Sequence, residues 1–236
     1  MASNFSIKNT GAGVGALLGL SLVPAAMAGK PFVCGWASFW AAAVVWIDRP
    51  APGRVRSVVA AILAAAIPVC VFFAGQGGVL LASAAVAVIL LSSYVVVGLK
   101  PSVVESVSVS LFHVLLAGIG FSLVVAVQSF NEGGRLLLAL LLILVLGIAP
   151  HLIWSGAPGW RVAVAGLVGS EIGAAASLLF LGAPITIGPM LFVGLLTGLA
   201  AAAGRASGPL VRIQPVVSAF LFGAPSFYFG FRFFLT

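Results

Sequence analysis

The sequence predicts an all-α polytopic membrane protein of about nine transmembrane helices, with a cytoplasmic N-terminus. Three observations carry that expectation. Hydrophobic residues make up 62% of the 236 and charged residues only 6%, too little polar cover for a water-facing surface. The apolar residues fall in runs long enough to cross the hydrocarbon layer as helices, which satisfy their own backbone polar groups there. The basic residues between the runs are shared unequally between the two sides of the membrane.

The first run covers 11–28 and ends in Ala26-Met27-Ala28, a small-residue pattern also found at secretory cleavage sites. Lys8 is the lone charge before it, and the run is expected to stay as a membrane helix. Gly11, Gly15 and Gly19 give it a flat face for close helix packing. The second run, 32–47, is short. Between Asp48 and Arg56, Pro50 and Pro52 stop a helix, and three arginines lie where anionic headgroups would meet them. The third and fourth runs, 57–74 and 79–99, are separated by the turn Gln76-Gly77-Gly78. Lys100-Pro101 precedes the fifth, 107–128. Ser102, Glu105, Ser106, Ser108 and Ser110 make its start polar, either as a shallow cytoplasmic cavity or as a solvated helix end.

Asn131-Glu132-Gly133-Gly134 leads into the sixth run, 135–154, which holds Pro150 and His151. A proline at membrane depth frees a carbonyl that must find another partner. The seventh run, 162–181, carries Glu171 in its middle, and the eighth covers 185–203. A cytoplasmic link through Arg205 and Arg212 reaches the ninth, 215–234, whose Phe227, Tyr228, Phe229, Phe231, Phe233 and Phe234 are placed as an interfacial belt would be. The gaps leave no room for a soluble domain, so 1–236 is expected to form one membrane domain.

With nine spans and the N-terminus inside, Lys8, Arg49, Arg54, Arg56, Lys100, Arg161, Arg205 and Arg212 face the cytoplasm. Lys30, Arg135 and Arg232 face the other side. That is a positive-inside bias, and a bacterial inner membrane is the expected location. The net charge of +7 is scattered singly, which excludes a nucleic-acid surface. Cys34 and Cys70 lie in different apolar runs and are expected to be packing residues. No metal-ligand spacing occurs, and neither metal nor cofactor is expected.

From residue 157 onward several stretches follow one another in a distinctive order. Ala157-Pro158-Gly159-Trp160-Arg161 opens a helix bearing Gly166, Gly169 and Gly173. A run from Gly198 to Gly204-Arg205-Ala206-Ser207 ends at Arg212. Ser218 then leads to Ala224-Pro225-Ser226-Phe227-Tyr228. In motif order and helix spacing this region, extending back over 107–236, resembles the phosphatidate cytidylyltransferases, or CDP-diacylglycerol synthases. The resemblance implies a helical membrane frame, phosphatidate and CTP as substrates, and magnesium held by acids.

The acids are missing. Where the family has the aspartate of Gly-Asp-Leu this chain has Arg205, and where it has the glutamate, Gly208. The closing Asp-Arg-x-Asp falls on Pro215-Val216-Val217-Ser218, and the Pro-Gly-His-Gly-Gly loop is absent. Nucleotidyl transfer needs divalent cations bridging the triphosphate, and hard cations need several oxygen ligands. The four acids, Asp48, Glu105, Glu132 and Glu171, stand in four separate places, with no catalytic or metal-binding set among them.

Glu171, His151, Arg161, Arg205 and Arg212 remain as candidates for binding a lipid or a phosphate. An ionisable group at mid-membrane should face the bundle and find a partner, so Glu171 is expected to pair with His151, with another helix or with a headgroup. The arginines either bind phosphate or simply obey the positive-inside rule. His113, among serines, is expected to make a helix–helix bond. Three readings follow. One is a non-catalytic relative of the cytidylyltransferases, binding lipid or serving as a subunit among other membrane proteins. Another is an active phosphatidate cytidylyltransferase whose acids come from a partner chain. The last is a small proton-coupled transporter using Glu171 and His151.

Overall fold

The structure, a computed structural model, describes residues 3–48, 54–95, 101–153, 159–182, 185–207 and 215–235. Among the described residues there are nine helices and no strand: α1 (Ser3–Ala28), α2 (Lys30–Asp48), α3 (Arg54–Ala74), α4 (Gly77–Val95), α5 (Pro101–Gln128), α6 (Gly133–Ile153), α7 (Gly159–Leu181), α8 (Ile187–Ser207) and α9 (Pro215–Leu235). Each apolar run of the sequence became one helix. Most helices start a few residues before the run, because Lys30, Arg54 and Pro101 fit a helix start as well as a loop. By length and composition α2, α5, α6, α7, α8 and α9 are able to cross a membrane. The described apolar stretches of the other three are shorter, at Gly13–Ala28, Val58–Ala74 and Gly77–Ser92.

The helices are divided by sharp turns. Gly29 and Gly75 follow α1 and α3 with φ of +100° and +62°, and their N–H groups donate to Ala25 O and Val71 O at 3.2 and 2.9 Å. That left-handed turn uses otherwise orphaned carbonyls and suits a residue without Cβ. Glu132 takes a similar φ of +59° despite its side chain. Its carbonyl accepts from Arg135 N at 2.9 Å and Leu136 N at 3.2 Å, starting α6.

The chain divides into two compact units, one of residues 30–126 and the other of 1–29 with 127–236. In the 30–126 unit, α3 packs between α2 and α4. Trp36 of α2 meets Phe121 of α5 edge to face at 5.6 Å, and Ile67 of α3 fills the notch at Gly118 of α5. Cys34 is buried and its thiol points at Pro68 O, 3.9 Å away; both Cys34 and Cys70 are free, as expected. His113 is buried and donates from Nδ1 to Val109 O at 2.7 Å, within its own helix. The expected helix–helix bond is not made: its Nε2 is buried without a partner. The carbonyl one turn back is the nearer acceptor.

The other unit holds the distinctive stretches from residue 157 onward. Its closest pairs are α6 with α7 and α8 with α9; α7 also packs on α8, and α1 lies against α6 and α9. Gln128 Nε2 donates to Ala26 O at 3.4 Å, joining the end of α5 to the end of α1. Phe130 and Tyr228 stack at 5.5 Å.

Candidate functional site

Small residues bring the helices of this unit into backbone contact. A Cβ on Gly169 of α7 would collide with Leu146 O of α6, and one on Gly173 would stand 2.7 Å from Ile143 Cα. The Leu146 contact has a cause four residues on. Pro150 lies inside α6 and has no N–H to give the Leu146 carbonyl. The freed carbonyl stands against the bare Cα of Gly169, a close approach that a Cβ there would prevent.

Ser170 stands at the crossing of three helices. It is buried, and its hydroxyl donates to Gly166 O at 3.1 Å. Its Oγ occupies the space a Cβ would need at Gly147 of α6 and, at 2.6 Å, at Gly198 of α8. Beside it is a cavity of about 10 Å³ lined by Gly147, Ile148, Gly166, Ser170, Gly198, Ala201, Ala202 and Arg205. That is room for about one water molecule. Arg205 Nη1 is buried and has no hydrogen-bond partner among the described residues. Thr197 Oγ1 on α8 and Ser218 Oγ on α9 are also buried without one.

On the other side of Ile148 lies a larger, apolar groove. It measures about 240 Å³ and runs between α1 (Gly15 to Gly19), α6 (Leu141 to Ala149) and α9 (Val216 to Phe220). Ile148 lines both spaces. Its lining includes the small residues Gly15, Ala16, Gly19 and Ala149. It lies toward the end of the unit where α6 and α8 finish and α7 and α9 begin.

The sequence candidates are distributed as follows. Arg205 and Arg161 belong to the same end of the α7–α8 pair; Arg161 is exposed and its guanidinium lies 5.3 Å from the ring of Trp160. His151 is in α6, but its side chain lies outside the described residues, and Arg212 falls outside them altogether. Glu171 is half-buried on α7, and the His151 side chain expected as one possible partner lies outside the described residues. Glu171 finds no hydrogen-bond or ion-pair partner among the described residues, and its Oε1 lies against α8, 3.7 Å from where a Cβ of Gly194 would stand. The reason is geometric: Ser170, not Glu171, points into the three-helix crossing. Glu132 is held by Arg135 at 2.8 Å on an exposed turn. The side chains of Asp48 and Glu105 lie outside the described residues. Among the described residues no three His, Cys, Asp or Glu side chains come together to hold a metal.

Sequence reasoning passed over Ser170 and the groove. A serine one turn after Gly166 on a glycine-rich face was a readable signal for the first. Nothing local announces the second. No protein-family model, curated protein or solved structure matches this chain. What stands is an all-helical protein with six helices long and apolar enough to span a membrane, and a polar cavity beside an apolar groove in its larger unit.

Proposed function

We propose that the chain is a nine-span inner-membrane protein, N-terminus in the cytoplasm, that binds an anionic phospholipid without transferring a nucleotide. It is read as a relative of the phosphatidate cytidylyltransferases that has kept the helical frame and lost the metal-binding acids. The observation that carries this is the pairing of the groove with Arg205 across Ile148. In that orientation both lie in the cytoplasmic half. An acyl chain gains little by leaving its neighbours for a protein groove, because lipid tails are as apolar as the lining. Retention therefore depends on the headgroup. A partly buried guanidinium with an unused donor supplies a charge-assisted bond to phosphate there.

The test is the phospholipid retained by the purified protein, measured by extraction and mass spectrometry. Arg205→Gln is expected to reduce it by about tenfold to a hundredfold, the loss of one charge-assisted bond of about 1.5–3 kcal/mol. Ala149→Phe, which fills the groove, is expected to reduce it too, and Arg161→Gln to leave it unchanged. Equal retention in all variants would sink the lipid reading. Turnover of CTP and phosphatidate with magnesium would sink its non-catalytic half.

A further inference from the structure

Glu171 stands twelve residues from the start of α7 and ten from its end. At 1.5 Å per residue this is about 18 and 15 Å from the two ends, the middle of the bilayer if α7 spans it. An ionisable group at that depth is expensive unless it is paired or faces water inside the bundle. The Glu171 carboxyl lies against α8 at Gly194, and no described residue bonds to it. The side chains around it are lipid-like and bare: Val168 and Ile172 on α7, and Leu195 and Leu199 on α8, are all exposed. Among the six helices able to span, α7 has the smallest buried share, 28%.

We propose that this α7–α8 face is the interface between two copies of the chain, related by a two-fold axis passing close to Glu171. The occupant follows from the chemistry of the group. Lipid tails offer neither donor nor acceptor. A carboxylic acid offers one of each and is its own complement, and at a two-fold axis every group meets its own copy. Two Glu171 carboxyls in their acid form satisfy each other in a reciprocal pair of hydrogen bonds. Gly194 beside the carboxyl lets α8 pack closely on α7 there, which holds the carboxyl at the edge of the seam. This inference rests on the membrane-spanning reading but not on lipid binding, which is measured separately.

The experiment is disulfide trapping in native membranes, with Cys34 and Cys70 replaced by alanine and one new cysteine at Ile172→Cys. A covalent species of twice the chain mass is expected. Val145→Cys, exposed on α6, should give none. Adding Glu171→Leu, which suits the apolar face, should lower the dimer yield about tenfold, equivalent to about 1.4 kcal/mol. Glu171→Gln, which keeps a donor and an acceptor, should restore most of it. The proposal is overturned if the chain stays monomeric, if Glu171→Leu leaves the yield unchanged, if Glu171→Gln behaves like Glu171→Leu, or if the trapped species contains a different protein.

Discussion

At the scale of single residues, the glycines fall into two populations that the sequence does not separate. Gly169 is pressed against a carbonyl of α6, whereas Gly35 of α2 has nothing within 4 Å of its missing Cβ. Adding methyls should act oppositely at the two. Gly169→Val forces α6 and α7 apart and is expected to lower stability by about 1–3 kcal/mol. Gly35→Ala adds helix propensity in open space and is expected to be neutral or stabilising by up to about 1 kcal/mol. Thermal unfolding in detergent checks both; a tolerated Gly169→Val would mean the close approach is not needed. Arg205 and Glu171 were legible as unusual residues because charge is scarce here. What they touch was not. Helical phase alone does not say whether Ser170 or its neighbour Glu171 faces the crossing, since that depends on where α6 and α8 lie around α7.

At the scale of elements, the helices were almost wholly readable, since a membrane helix needs only a sufficient apolar run with polar breaks. Their ends were less so: α5 begins at Pro101 rather than 107, because polar residues continue a helix beyond the apolar run. The groove escaped notice because it is a deficit of volume shared by α1, α6 and α9, and no one of them encodes it. The placing of α1 there bears on its fate. Its Gly15 meets Val216 of α9, and its Gly19 lies near Leu141 of α6. A cleaved leader has no need of fitted contacts. The mature protein is therefore expected to retain residues 1–28, which intact mass or N-terminal sequencing will show; a product starting at Gly29 would contradict it.

At the scale of the whole molecule, the distribution of cations predicts the topology. Eight on one side against three on the other favours the N-terminus inside. An odd number of spans then puts the C-terminus outside. A fluorescent reporter that matures only in the cytoplasm should glow at the N-terminus, and an alkaline phosphatase fusion should be active after Thr236. If α1, α3 or α4, whose described apolar stretches are shorter, lies in the interface instead, the two ends will report the same side. The division into two units was not legible, because both halves are written in the same apolar alphabet. What separates them is the choice of neighbours, and that is a property of side-chain fit.

Ile148 bounds two spaces of unlike character with one side chain. If a rotation of it widened one compartment at the expense of the other, the two would not be occupied independently. A guest wedged on the greasy side would then alter the volume left around Arg205, and thermodynamic reciprocity demands the converse: an ion seated at the arginine would change the grip on the guest by the same factor. In that case a single branched side chain would couple the two spaces.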